Sequence, residues 1–435
     1  MLLATLIALT LSAVPHISGG VERLPDAPPR EVVECSPRGG MPNVLARLKA
    51  GKETRIAYLG GSITAQDGWR PKTLAWFQSQ YPSAKITEIN AAIGGTGSDL
   101  GVYRLRHDVL EFKPDLLFVE FAVNDSGAPP ERIHKAMEGI VRQTWRADPN
   151  TDICFVYTLT EEMLGTLQSG KYPRAASAME EVADHYAIPS IHMGLEPARL
   201  QQAGKLIFRG PLPGTEAEKA AGGGKIVFSG DGVHPYPQTG HQLYLEAVIR
   251  SMTPIRLAGT PGRHLLGAPL DRDNWEQAKM IPLSAVHLSS GWQRLDLATH
   301  PVAKYFQSRV PELWKADRAG ETVQFRFRGT SAFVYDLLGP DCGQVSVQVD
   351  GAAPIVRPRF DAFSDYHRLG TLGVADSVPA GIHTVTITVL PDQPDKLGIL
   401  HQRKENESTK VLDPAKYSGT AWYAGAILII GDLVK

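Results

Sequence analysis

Four short blocks hold side chains that could act together on a carbonyl group: GGSIT at 60–64, NAAIGGTG at 90–97, AVND at 122–125 and DGVH at 231–234. A serine hydroxyl is a weak nucleophile until a base takes its proton, and imidazole can do so near neutral pH. Ser62 is therefore the candidate nucleophile and His234 the candidate base. A carboxylate on the other ring nitrogen fixes the tautomer and steadies the imidazolium as it forms, the role assigned to Asp231. Pro235 biases His234 away from helical backbone, so the DGVH block reads as a loop able to aim both side chains at Ser62. A tetrahedral oxyanion also needs donors. The backbone N–H of Ser62, the N–H of Gly95 and the side-chain amide of Asn124 could supply them, with Gly94 an alternative to Gly95.

Each block also has a plainer reading. Gly-Gly-Ser is common turn chemistry, and Asp231 with His234 could simply start a helix. GGTGSDLG lacks the spacing of a dinucleotide loop, and His185, His192, His234 and His241 follow no metal-ligand motif, so no cofactor or metal is expected. No G-x-S-x-G elbow occurs. Trp69 and Arg70 follow the serine closely and could line an acyl pocket, or Trp69 could anchor the loop in the core.

The elements that must position these residues alternate in kind. RIAYLG (55–60), KITEIN (85–90), DLLFVEFAV (115–123), DICFVYTLT (152–160) and IPSIHMG (188–194) read as strands, and the intervening segments carry apolar residues at helical spacing. This predicts parallel βαβ units in a three-layer, flavodoxin-like α/β domain over 54–253, with the serine, glycine and asparagine blocks at the carboxyl edge of its sheet, where ligands bind. Pro and Gly mark 254–274 as a linker. From 275 to 435 the period changes to two, as in TVQFRFR and HTVTITV, and Asp350-Gly351 signals a hairpin, so this part reads as an antiparallel, jelly-roll-like β-sandwich.

The chain of 435 residues has 45 Lys+Arg against 46 Asp+Glu, a balance that argues against a nucleic-acid partner. MLLATLIALTLSAV resembles the apolar part of an export signal, read as 1–20, followed by an N-terminal extension over 21–53. No later stretch is long and apolar enough to span a bilayer. Cys154 reads as core, while Cys35 and Cys342 could pair after export. The oligomeric state is not legible.

The four blocks, in this order, resemble those of the SGNH hydrolase superfamily, the GDSL esterases and lipases. The resemblance spans about 200 residues, from the first strand to the helix after His234. It implies Ser62 as nucleophile, His234 and Asp231 as base and orienter, and Ser62, Gly95 and Asn124 as oxyanion donors, with no cofactor. Gly61 departs from the aspartate of the family name, and Ala122-Val123 replaces the usual Gly-x. With export and an appended sandwich resembling carbohydrate-binding modules, the resemblance implies a secreted esterase removing O-acetyl groups from a polysaccharide or oligosaccharide. A lipid esterase or thioesterase, or a glycan-binding protein without activity, are the alternatives. Trp292, Trp314 and Trp422 could stack on sugar rings or lie in the sandwich core.

Overall fold

The computed structural model describes residues 30–401 and 413–435, so the expected export signal lies outside the described residues. Five strands, Thr54–Gly60, Ile86–Asn90, Leu116–Glu120, Asp152–Tyr157 and Ser190–His192, pair in parallel. Numbered along the chain their spatial order is 2-1-3-4-5, the flavodoxin-like order expected. Helices cover both faces, so alternate residues of a strand enter different cores. Leu59, Leu117 and Val119 pack with the helices Ser98–Asp108, Pro130–Ala147 and Arg174–His185. Tyr58, Leu116 and Phe118 pack with the helices Trp69–Gln80 and Gly240–Arg256. Burial on both faces is why the three central strands, Thr54–Gly60, Leu116–Glu120 and Asp152–Tyr157, read as apolar runs.

The segment before the first parallel strand belongs to this domain. Cys35–Ser36 pairs antiparallel with Ser190–His192 at the sheet edge, and the helix Pro42–Lys49 buries Val44, Leu45 and Leu48. Residues 254–274 form an ordered strap. Gly262 exchanges two hydrogen bonds with the Asn43 side chain, His264 stacks on Trp145 at 4.6 Å, and Glu138 accepts the N–H groups of Leu270 and Asp271.

The C-terminal part is an antiparallel sandwich in which two long strands serve both layers. The first half of Thr322–Leu338 pairs with Gly381–Val389 and its second half with Arg368–Ala375, while Trp422–Val434 runs beside both halves. Register shifts at Gly329/Ser331 mark where the strand turns from one layer into the other. The outer face of the second layer is also covered. Tyr335, Leu337, Leu428 and Ile430 join the core of the α/β domain, whereas Val334, Ile427 and Ile429 fill the sandwich.

Two alternatives left open by the sequence close here. Cys35 and Cys342 are free thiols, because Cys342 is sealed inside the C-terminal part against the Leu337 carbonyl and Cys35 lies at the edge of the other sheet. The three tryptophans offer no sugar platform. Trp422 and Trp292 are buried edge to face with their indole N–H groups bonded to Asp336 and the Thr322 carbonyl, and Trp314 is half-buried with its Nε1 enclosed.

Candidate active site

The sheet order reverses between Thr54–Gly60 and Leu116–Glu120, and the loops leaving these two strands diverge to open a crevice. Ser62 begins a four-residue helical turn, Ser62–Ala65, immediately after the first of them. Beneath it the fully buried Glu120 accepts hydrogen bonds from Thr64 and Thr158 at 2.9 and 2.8 Å. Burial raises the pKa of this carboxyl, and those two hydroxyls with the Gly61 N–H oppose the rise.

Asn124 reaches the same place from the third strand of the chain. A Cβ on Gly61 would lie 2.0 Å from Asn124 Oδ1, so the amide can occupy its position only because residue 61 has no side chain. The departure from the family's aspartate thus has a steric cause in this chain.

The glycine block is tied down at both ends. Ile93 N–H donates to the Gly60 carbonyl at 3.0 Å, and Ser98 N–H donates to Asp125 Oδ1 at 3.0 Å. Gly94 and Gly95 both line the crevice beside Ser62, and Gly95 takes a left-handed conformation, φ 75°. Burial pushes the Asp125 carboxyl up to about 7 against the opposing bonds from Ser98.

His234 and Asp231 arrive on an element that the sequence did not disclose. A small parallel pair, Leu206–Arg209 with Ile226–Ser229, carries the DGVH loop toward the serine. Ser229 Oγ accepts the Gly232 N–H, and Glu161 N–H donates to the Gly232 carbonyl. His234 Nε2 lies 2.8 Å from Ser62 Oγ, and its Nδ1 lies 2.7 Å from Asp231 Oδ2. The other oxygen, Asp231 Oδ1, accepts the N–H groups of Val233 and His234 at 2.8 Å each. Partial desolvation is the largest single influence on Asp231 and acts upward. The bonds from His234 and Val233 outweigh it and hold the carboxyl at about 2. This arrangement gives serine, imidazole and carboxylate the relay that a hydroxyl needs to become a nucleophile.

Trp69 and Arg70 do not line the crevice. Trp69 is fully buried edge to face against Tyr58 and Phe118, and the buried Arg70 bonds the Thr64 carbonyl and pairs with Glu88 and Asp67. Both hold the loop after Ser62 from behind. Of the other histidines weighed as ligands, His185 bonds the Ala268 carbonyl, His192 packs between Tyr157 and Tyr172, and His241 bonds Trp69 N–H.

The crevice widens into a cleft of about 950 Å³ between the two parts of the chain. One wall is α/β domain, with Ser62, Gln66, Thr96, Asp99 and Arg132. The facing wall contains Tyr305, Arg309, Arg359, Tyr366 and Arg368, and Tyr305 and Tyr366 are 65% and 56% exposed. No motif announced this second wall. Arg132 ties the two together, pairing with Asp99 at 3.5 Å and with Asp376 at 3.1 Å, its guanidinium 4.8 Å over the Trp275 ring.

Residues 58–243 match the model of the GDSL-like Lipase/Acylhydrolase family. Over nearly its whole length the chain shares its fold with crystal structures of a two-domain esterase active on acetylated mannans. The form co-crystallised with mannopentaose is 20% identical and superposes with a TM-score of 0.67, covering 92% of this chain and 97% of the other. A second structure of that two-domain esterase is 21% identical, with a TM-score of 0.66 over 90% of this chain and 94% of the other. No curated protein sequence matches this chain.

Proposed function

We propose that the GDSL-like lipase/acylhydrolase domain at 58–243 makes this protein an exported serine esterase that removes O-acetyl groups from a polysaccharide or oligosaccharide. The observation that carries the reading is the unbroken relay from Asp231 through His234 to Ser62, whose hydroxyl opens into a cleft wide enough for several sugar units. Exposed tyrosines on the facing wall suit sugar rings, and the two-domain esterase of like fold acts on acetylated mannans. Among the described residues no helix is long and apolar enough to cross a membrane.

In this reading Ser62 Oγ attacks the acetyl carbonyl while its proton passes to His234 Nε2. Asp231 keeps the ring proton on Nδ1 and balances the imidazolium. The N–H of Ser62, the N–H of Gly95 or Gly94 and the Asn124 amide hold the oxyanion. His234 then returns its proton to the departing sugar oxygen, leaving an acetyl-enzyme. Water, activated by the same imidazole, attacks that ester and releases acetate, with Ser62 regaining its proton.

The test is acetate release from acetylated xylans, pectins, mannans and xyloglucans, together with aryl acetate hydrolysis. Ser62→Ala is expected to abolish both with unchanged thermal unfolding, and a serine-directed organophosphate is expected to add mass to the peptide containing Ser62. A folded Ser62→Ala variant that keeps turning over would falsify the assignment. Aryl acetate hydrolysis without release from any glycan would sink the carbohydrate substrate alone.

A further inference from the structure

Gln66 stands one helical turn beyond Ser62, its backbone N–H donating to the Ser62 carbonyl at 3.0 Å, and its half-buried side chain lines the cleft. The two ends of a side-chain amide differ only in whether they donate or accept, so its partners decide which way it faces. Gln66 Oε1 lies 3.1 Å from His241 Nε2. On the other side of that ring, His241 Nδ1 lies 3.0 Å from the backbone nitrogen of Trp69. A backbone N–H can only donate, so Nδ1 must accept. The single proton of the neutral imidazole therefore sits on Nε2 and points at Gln66. The amide must answer with its oxygen, and its NH2 group, with two donors, is left for the cleft.

The ring is built in. His241 is fully buried and edge to face with Tyr244 at 5.8 Å, and a Cβ on Gly68 would come within 2.3 Å of its ring atoms. Burial first, and the Lys72 charge second, lower its pKa to about 3, so the ring stays neutral and the tautomer is constant across working pH. Gly68, Trp69 and His241 thus lock one orientation of one cleft amide, four residues from the nucleophile.

We propose that Gln66 positions substrate by donating through its amide NH2 to an oxygen of the sugar beside the ester, the neighbouring hydroxyl being the nearest such acceptor on a pyranose. This rests on the reading of the site as a carbohydrate esterase. A donor fixed here has use for an alcohol portion rich in oxygen and none for an alkyl chain, so Gln66 favours sugar esters over lipid esters. His241 acts through Gln66 and touches no substrate.

The test compares kcat/KM on partially acetylated xylo- and manno-oligosaccharides with kcat/KM on an aryl acetate. Gln66→Met removes the donors at similar volume. Gln66→Glu keeps an acceptor for His241 but replaces the NH2 group. Both are expected to lower the ratio of sugar to aryl kcat/KM about tenfold, the scale of one hydrogen bond, with the loss carried mainly by KM. His241→Phe frees the amide to rotate and is expected to give a smaller loss of the same ratio, absent in the Gln66→Met background. Equal losses on both substrate types, or an unchanged ratio in Gln66→Met and Gln66→Glu, overturn the proposal, and these two variants decide it even if His241→Phe does not fold. A wild-type protein inactive on every acetylated sugar overturns the underlying reading as well, a result distinct from an active enzyme indifferent to Gln66.

Discussion

The Asn124 amide fills the space that a side chain at Gly61 would need, so residue 61 cannot gain a Cβ unless that amide moves. Asn124→Ala is expected to lower kcat on an aryl acetate about a hundredfold to a thousandfold, the range found when one oxyanion donor is removed from a serine hydrolase. Gly61→Ala places a methyl group where the amide oxygen lies, 2.0 Å from the ideal Cβ, and is expected to displace the amide with a loss of the same kind. Together the two substitutions should cost little more than Asn124→Ala alone, because the second removes what the first has already displaced. Rates for the three variants check this, and fully additive losses would place the role of Gly61 elsewhere. At this scale the convergence of Ser62, His234 and Asp231 was legible, because side chains able to serve as nucleophile, base and orienter have few substitutes in type. Trp69 and Arg70 were not. An aromatic ring and a guanidinium beside a serine look alike whether they face a pocket or a core, and the choice was made by Tyr58, Phe118 and Glu88 on neighbouring strands.

Between single residues and domains lie the loops that leave the strands, and Asp125 joins two of them. It stands in the turn after Leu116–Glu120 and accepts the N–H of Ser98, where the glycine block enters its helix. Its other oxygen, Oδ2, is enclosed without a partner. With its folded-state pKa raised from 3.8 to about 7, the native protein holds a proton that the unfolded chain has lost, so this group's contribution to stability falls as pH rises between those values and is flat above. Asp125→Asn has no charge to bury. The variant's thermal midpoint relative to wild type is expected to climb from pH 4 to pH 7 and then level off. A difference independent of pH would mean that the carboxyl is equally ionised in both states. The three central strands of the parallel sheet were readable at this scale because burial on both faces writes an apolar run. The pair Leu206–Arg209 and Ile226–Ser229 was not, since strands of four residues around a stretch rich in Gly, Lys and Glu leave no period to detect.

For the molecule as a whole, the two parts meet through a common core rather than across a linker. Val102, Tyr103 and Met137 of the α/β domain share one apolar cluster with Trp275, Leu337 and Leu428. Ending the chain at the strap would bare that cluster, so removing the sandwich does not isolate its contribution to substrate binding. A point change on the cleft wall does. Tyr366→Ala, at an exposed position, is expected to reduce kcat/KM on acetylated polymer several-fold more than on an aryl acetate, with unfolding unchanged. Equal effects on both substrates would reduce that wall to a structural one. The alternating pattern of the sandwich was plain in the sequence, yet nothing in it told that a second face would be covered. Trp422–Val434 is apolar along most of its length because Leu428 and Ile430 meet the α/β domain while Ile427 and Ile429 fill the sandwich.

That last strand, Trp422–Val434, has a consequence in time. It pairs with Ala278–Pro282, Leu313–Ala316 and the length of Thr322–Leu338, and so is the hub of the second sheet. Synthesis delivers it after every strand with which it pairs. Until then the sandwich lacks its central member, and the α/β domain, though its own strands are complete, waits with Tyr103 and its neighbours uncovered. A nascent chain that has not yet made this strand therefore holds the segments bearing Ser62, Asp231 and His234 beside an unfinished cleft, with apolar surface exposed to aggregation until the strand emerges.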